Sequence, residues 1–482
     1  MSQLTKRSTL SLRREWRLFD QERATQKLFL KLCDRMIDVG EFLLAHDVAR
    51  AGLRKHKADK ILSQRAAHAL CKAGSPKLAS NLLEELVASG GRDVETQSLL
   101  ASCYKDLCEY STSEESKFRY ADLAIARYED AYNAQVQKSS GKLEDLEKQY
   151  YPCINVAFMH YVFHDEKKAH EYAKAAREIC RKIRVKGGES YWIQATEAEA
   201  SLILGQVGPA LEAYAHAVGM EDAKPSYVAS TRKQALQIAS LFEDKEVKGK
   251  VEQAFPLMGI VACSGHVIDN PGGDRRFPPE AEMVAKEKIE QALDKLGVSC
   301  GFSSAACGTD ILFLETMAER GGETHVFLPF SKEEFIETSV RRAGGKWVSR
   351  FESVLDHATS VHYVTNEGYY GDDSLFTFCN QVMLGFAAMR GRGLDEDPNL
   401  LVIWDGKPGS TGGTGELVEA WRGEFNEPEV IDPGEILPSL SDSKPVPVYS
   451  GETRPAFLSE SAEYESSIRS IKTMLFADVQ AF

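Results

Sequence analysis

The sequence predicts an α + α/β protein: an α-helical repeat array followed by a doubly wound parallel-sheet domain. Three observations carry this. From about residue 13 to 245 there is almost no strand signal, prolines are few, and apolar residues recur at three- and four-residue spacing. From about residue 255 short apolar runs alternate with helical stretches, the pattern of a parallel sheet covered on both faces. The loops that follow several of those runs are rich in Gly and Ser.

Bulk properties narrow the function classes. The chain has 482 residues, 43% hydrophobic and 27% charged, enough for about two to four domains with cores of their own. No run approaches the ~18 apolar residues of a membrane span. The basic start, "MSQLTKRSTLSLRREWRLFD", lacks the apolar core of a secretory signal. A formal net charge of -14 argues against a partner bound through its phosphate backbone. The expectation is a cytoplasmic chain with no nucleic-acid and no membrane partner. Ten cysteines include no C-x-x-C pair, and Cys103 and Cys108 have no His cluster beside them. This predicts reduced, buried or free thiols and no zinc.

Residues 13–250 read as helix pairs, after a tail over 1–12. "LSQRAAHALCKAG" and "SPKLASNLLEELVASG" are joined by a Gly-Ser-Pro turn. "CINVAFMHYVFH" with "DEKKAHEYAKAAREIC" repeats the plan, as does "WIQATEAEASLILGQ" with "VGPALEAYAHAV". Small residues recur at matching places: Ala67 and Ala79, Ala157 and Ala169, Ala198 and Ala210, with Tyr214 and Ala217 following in the last pair. Small residues let two helices cross closely. This pattern resembles the tetratricopeptide repeat (TPR), with a drifting period and a long charged helix in 106–150 that does not fit. An irregular TPR-like α-solenoid is the expectation, a plain helical bundle the alternative. Solenoids present concave surfaces, so a protein partner or peptide-like ligand is expected here.

Residues 255–432 read as the sheet domain. Leu257 to Ala262 is a buried strand running into Cys263-Ser264-Gly265-His266. "PPEAEMVAKEKIEQALDKLG" is a helix with prolines at its start, where a missing N–H costs nothing. Then come the strand "VSCGFSS", the helix "AACGTDILFLETMAERGG", the strand "ETHVFLPF", the helix "RFESVLDHA" and the strand "TSVHYVT". The helix "SLFTFCNQVMLGFAAMRGRGL", a last strand "NLLVIWDG" and a closing helix "GELVEAWRG" complete the domain.

In such sheets ligands bind beyond the C-terminal strand ends. Those ends carry "CSGH", "GFSSAACGTD" and "DGKPGSTGGTGE". Gly or Ser just before a helix lets the backbone approach an anion, which the helix dipole favours. No G-x-x-x-x-G-K-[ST] or G-x-G-x-x-G motif is present. The functional reading is a nucleotide-like ligand; purely structural turns are the alternative. His266, Asp269 and Arg276 are ligand candidates after the first strand, with surface or capping roles as the other reading. Asp372 and Asp373 suit helix capping. Cys263 and Cys307 sit in the glycine loops, but only His266 offers a base, so no catalytic residue is assigned.

"SSAACGTDILFLETMAERGGETHVFLPF" is similar to the core of the DNA-processing protein A (Smf) and lonely-guy families, the SLOG superfamily, whose fold is Rossmann-like. "GSTGGTGELVEAW" resembles the lonely-guy loop P-G-G-x-G-T-x-x-E, although here Gly415 and Glu416 adjoin. The resemblance implies that Gly412, Gly413, Thr414 and Glu416 cradle a nucleotide phosphate or ribose. It implies that Ser264, Gly265, Gly308 and Asp310 line the same cleft, with Ser303 and Ser304 in the neighbouring loop. The position of the arginine that supports hydrolysis in those enzymes is not assigned to any residue of this sequence. The order of the three loops also looks like the sensor region upstream of bacterial class III nucleotidyl cyclases, and more distantly like the TRAF-binding region of stress-activated MAP kinase kinase kinases.

Residues 433–465 read as a Pro- and Ser-rich linker. The segment 466–482, ending "IKTMLFADVQAF", looks like the opening strand of a class III cyclase domain. Phe476, Asp478 and Phe482 match its F-x-D-hydrophobic-x-G-F pattern, with Ala481 in place of Gly. Asp478 would be a metal ligand only with the remainder of a cyclase core. No cofactor is assigned beyond the nucleotide-like ligand. The leading expectation is a ligand-sensing regulatory module upstream of a cyclase, working through pairing of two copies as a homodimer. A nucleotide N-glycosidic hydrolase using Glu416 or Asp310, and an interaction scaffold that binds nothing small, are the alternatives.

Overall fold

The computed structural model describes residues 12–436 except 92, 164, 270–275, 366–367, 370 and 410. Residues 1–11 of the tail predicted over 1–12, residues 437–465 of the linker predicted over 433–465, and the segment 466–482, with Asp478, lie outside the described residues; residues 433–436 form a short helix with Pro433 and Ile436 buried. The described chain forms two compact units, one over Glu15–Pro256 and one that begins at Leu257.

The first unit is a row of helix pairs: α1 (Gln26–Asp38) with α2 (Phe42–Lys55), α3 (Lys60–Lys72) with α4 (Pro76–Ala88), and α5 (Val94–Tyr110) with α6 (Glu114–Lys138). A short α7 (Leu143–Glu147) precedes α8 (Tyr150–Val162) with α9 (Glu166–Val185), α10 (Tyr191–Ile203) with α11 (Val207–Gly219), and α12 (Pro225–Ala239) with α13 (Glu246–Gln253). The sequence sets these boundaries locally. Asp59, Asp93, Ser113 and Asp165 each accept the backbone N–H three residues on, satisfying a first-turn donor. Pro76 and Pro225 open their helices. The six alanines of the repeat pattern are all fully buried, so close crossing is how the pairs pack. The misfit over 106–150 is the end of α5, the 25-residue α6 and the five-residue α7.

The array curls back on itself. Ser226 and Tyr227 of α12 donate to the Asp38 carbonyl at 3.2 Å and carboxylate at 3.0 Å. Lys72 of α3 donates to Ser230 at 3.2 Å, and Lys233 pairs with Glu109 of α5 at 2.8 Å. The last full pair therefore bonds to the first three.

The second unit is a six-stranded all-parallel sheet in the order β4-β3-β2-β1-β5-β6. The strands are β1 (Ile260–Gly265), β2 (Cys300–Ser303), β3 (Glu323–Leu328), β4 (Ser360–Tyr363), β5 (Asn399–Ile403) and β6 (Glu429–Ile431). Helices α14 (Glu282–Lys295), α15 (Thr309–Glu319), α16 (Lys332–Phe335), α17 (Gly345–His357), α18 (Ser374–Leu394), α19 (Thr414–Glu424) and the short α20 (Pro433–Ile436) connect or follow them. Alternate residues of each strand face opposite ways. Val261, Cys263, Val326, Leu328, Leu401 and Ile403 join one buried cluster. On the other face Phe327 and His362 stack on each other, and Phe386 of α18 packs edge-on against Phe327 and tilted against His362.

Three element predictions change. β1 begins at Ile260, three residues later than the apolar run suggests. The N–H groups of Met258 and Gly259 donate to the Glu396 carboxylate instead of a neighbouring strand. Gly259 has φ +61, and a Cβ there would stand 2.3 Å from the Gly297 carbonyl oxygen. The strand also runs through Cys263 to Gly265, which the sequence reading placed in the loop. A sixth strand follows the helix predicted to close the domain, and residues 332–343, outside every predicted element, form a helical, partly π-helical stretch that buries Phe335, Ile336 and Val340.

Ala157 and Ala169 sit at a crossing where no room remains. Ala157→Leu is expected to destabilise the protein by about 1–3 kcal/mol through overpacking, read as a lower urea midpoint. An unchanged midpoint would show that α8 and α9 do not depend on a small residue there.

Candidate functional site

The strand order reverses direction between β1 and β5. Each leads to helices on opposite sides, so a crevice opens outside their C-terminal ends. A cavity of about 360 Å³ occupies this place.

Two loops frame it through close backbone contact. Gly265 ends β1 against Thr309, the first residue of α15; a Cβ on Gly265 would lie 2.5 Å from the Thr309 hydroxyl oxygen. Both the N–H and the hydroxyl of Thr309 donate to the His266 carbonyl, at 3.2 and 2.9 Å. Gly308, at φ +109, pairs antiparallel with Val267. Only glycine fits there, because a Cβ would be 2.6 Å from the Ile268 nitrogen.

The third loop lies between β5 and α19. Gly412 has φ +73 and abuts Phe376 of α18. Its carbonyl accepts from Asn380 at 2.9 Å, and its N–H donates to Glu416 at 2.6 Å. Gly413 caps α19 without a side chain, as Gly308 caps α15. Both helices thus direct uncapped N-terminal turns toward the crevice.

The predicted residues divide by position. Ser264, Gly265, His266, Arg276, Ser304, Asp310, Gly412, Gly413 and Thr414 line the cavity. Asp269, Ser303, Gly308 and Glu416 sit behind it. Asp269 accepts the Phe277 N–H at 2.8 Å and so closes the loop that delivers Arg276. Ser303 is buried and donates to the Cys263 carbonyl between strands. Glu416 accepts from Thr377 at 3.1 Å as well as from Gly412, so it shapes the glycine loop from within. Asp373 lines the wall and accepts from Tyr369 at 2.6 Å; Asp372 accepts the Ser374 N–H at 2.9 Å, at the start of α18.

Several groups at this site were not singled out from sequence. Asp405, just past β5, gathers the crevice's polar groups. Arg276 meets its carboxylate with two 3.2 Å hydrogen bonds, and His266 Nε2 lies 3.5 Å from Oδ1. Burial opposes ionisation of Asp405, but the bonds from His266 and Arg276 outweigh it and hold the carboxyl far below the ordinary range. Its position directly after an apolar strand was a usable signal. Lys407 and Asn380 line the cavity, as do Thr338, Ser339 and Arg342 from the stretch over 332–343. Arg276, Arg342 and Lys407 give this crevice a cationic rim.

Asp310 is the exception. It is 6% exposed, accepts one N–H from Ala306 at 3.2 Å, and faces the cavity. Burial pushes its carboxyl up to about 7 despite that bond. Burial also raises the thiols of Cys263 and, to about 11, Cys307, the opposite of an activated nucleophile.

Among the described residues, one group has metal-ligand geometry: Cys300, Glu323 and His325, buried at the start of β2 and β3. The Arg390 guanidinium lies 3.2 Å from Glu323 and already supplies a cation there. No described helix is long and apolar enough to cross a membrane.

A family model described as Tetratricopeptide Repeats-Sensor matches residues 42–160, inside the helical unit. No curated protein matches the chain. The chain is similar to the crystal structure of TTC0263, a thermophilic TPR protein in Thermus thermophilus, at 17% identity and a TM-score of 0.34, covering 48% of this chain and 98% of that one. The family match and the helix pairs identify a TPR-like helical region, followed by an α/β unit with an all-parallel sheet.

Asp310 gives stability a pH dependence. Its carboxyl ionises near ~3.9 in an unfolded chain and near about 7 in the fold. Between these values the native state holds a proton that the unfolded state has lost, so stability falls as pH rises through that window and levels off above it. Relative to Asp310→Asn, the native protein is expected to lose up to roughly 4 kcal/mol across the window. Urea unfolding of both proteins from pH 4 to 8 measures this. A difference independent of pH would show that Asp310 is not protonated by burial.

Proposed function

We propose that this chain is a ligand-sensing signalling module. The crevice of the α/β unit takes a nucleotide or nucleotide-derived ligand through its phosphate, and the TPR-like helices take a protein partner. The observation that carries the reading is the convergence at the sheet's reversal point: two helix N-termini without side-chain caps, the Gly412–Gly413 turn, and Arg276, Arg342 and Lys407 around one cavity. Helix N-termini and guanidinium groups favour phosphate. Polar lining from Ser264, Ser304, Thr338 and Asn380 suits a ribose or base edge. The order of the loops, similar to sensor regions upstream of cyclases, supports a regulatory role. Control of a downstream cyclase-like domain through pairing of two copies extends this proposal, on the residues Phe476, Asp478 and Phe482.

Calorimetric titration of the full chain with AMP, NAD, ADP-ribose, cyclic nucleotides and pyrophosphate tests the reading. Binding of at least one tighter than ~1 mM, about 4 kcal/mol, is expected. Lys407→Ala and Arg342→Ala are each expected to weaken it several-fold to tenfold, and Gly413→Asp to abolish it by setting a carboxylate against the phosphate. Absence of binding across the panel would sink the proposal.

A hydrolytic second reading has one observation in its favour: a buried carboxyl facing the cavity with a pKa near neutrality suits general acid–base work, and Asp310 has that property. Glu416 is the weaker candidate because Thr377 and Gly412 occupy it. Release of free base from AMP or NAD, lost in Asp310→Asn, is the expected signature; base release that persists in the variant excludes Asp310.

A further inference from the structure

The helical unit contains a larger cavity, about 630 Å³. Ser226, Tyr227, Ser230 and Gln234 of α12 line one side of this partly open cavity. The volume lies in the range of small-molecule sites, ~300–1,000 Å³.

Its polar centre is unusual for a helical core. Lys105 donates to the side-chain carbonyls of Asn155 at 2.9 Å and Gln234 at 2.8 Å. Gln234 turns its amide N–H toward Glu199 at 2.6 Å. A neutral amide thus stands between a cation and an acid instead of a direct ion pair. Lys105 and Glu199 face each other through Gln234, and the buried Asp106 carboxylate adds a negative charge near Lys105, Lys72 and Lys233. Burial lowers the Lys105 ammonium below its ordinary value and raises the Glu199 carboxyl above its own. A structural ion pair would favour both charged forms. Lys72, which donates to Ser230 across the cavity, adds a second cation on the Lys105 side. The wall beside these groups is aromatic: Trp192 and Tyr227 pack with ring centroids 4.7 Å apart and line the cavity.

We propose that this cavity binds a zwitterionic small molecule of the amino-acid type with an aromatic side chain: its carboxylate on Lys105, its ammonium on Glu199 and its ring on Trp192 and Tyr227. Such a ligand offers an acid to Lys105 and a cation to Glu199 at once, while the ring gains apolar contact and ammonium groups also favour aromatic faces. A ligand with one charge would leave the other group buried without a ligand partner. This site is separate in residues and in chemistry from the phosphate-type crevice.

The test is calorimetry and thermal shift on the full chain with L-phenylalanine, L-tyrosine and L-tryptophan, beside phenethylamine and N-acetyl-L-phenylalanine. At least one amino acid is expected to bind with Kd below ~1 mM, with both single-charge analogues at least about tenfold weaker, or ~1.4 kcal/mol. Lys105→Met is expected to weaken the amino acid about tenfold while leaving phenethylamine unchanged, and Glu199→Gln to weaken it while leaving the N-acetyl acid unchanged. The analogue series on the unaltered protein decides the matter even if a variant fails to fold. Absence of binding, or single-charge analogues that bind as well as the amino acid, overturns the proposal. Equal binding of the N-acetyl acid would point instead to capture of a chain's C-terminus.

Discussion

The α/β unit depends on one close approach: the backbone of Gly265 and His266 against Thr309. The missing Cβ at Gly265 makes room for the threonine, and the His266 carbonyl accepts both of its donors. That contact fixes where β1 ends and where α15 begins. It therefore sets the direction in which α15 aims its N-terminal turn, and it holds Asp310 at the cavity. Gly308 secures the same junction from the other side by pairing with Val267. Any side chain at either glycine would separate the two loops and widen the crevice.

Around that junction the charged groups sort by what compensates them. Asp405 is held ionised by Arg276 and His266, so it organises cations without competing for a proton. Asp310 has only a backbone N–H and little water, so the same side-chain chemistry yields a carboxyl near neutrality. Asp310 in the cavity and Asp405 behind Arg276 and His266 thus have opposite behaviour, decided by partners and burial. The helical unit repeats the theme with Lys105 and Glu199, whose charges are separated by an amide, whereas Asp106 nearby is held ionised by lysines despite its burial.

Structure is legible in the sequence where a local rule acts alone. Ala67, Ala79, Ala157, Ala169, Ala198 and Ala210 were recognisable as crossing residues because helix periodicity and side-chain size suffice to place them. The glycine loops were recognisable because strand, turn and helix follow one another within a few residues. The start of β1 was misplaced because the apolar run Leu257–Ala262 does not reveal that Glu396, far along the chain, takes the N–H groups of Met258 and Gly259. Glu416 reads as a ligand group because "GSTGGTGELVEAW" resembles a known loop, although its spacing differs; its carboxylate accepts from Thr377 and Gly412.

By itself, the sequence determined the order of elements, the helical first part, the parallel sheet and the three loops at strand ends, since each follows from short-range periodicity, capping and turn chemistry. Only the tertiary structure decided that Arg342, Lys407, Asn380 and Asp405 meet at one crevice, that a sixth strand extends the sheet, and that α12 lines one side of the cavity that holds Lys105 and Glu199. Those outcomes join residues up to 189 positions apart, as from Asp38 to Tyr227. Pairings at that range leave no trace in local pattern, because they depend on how the helices curl and on the strand order of the sheet.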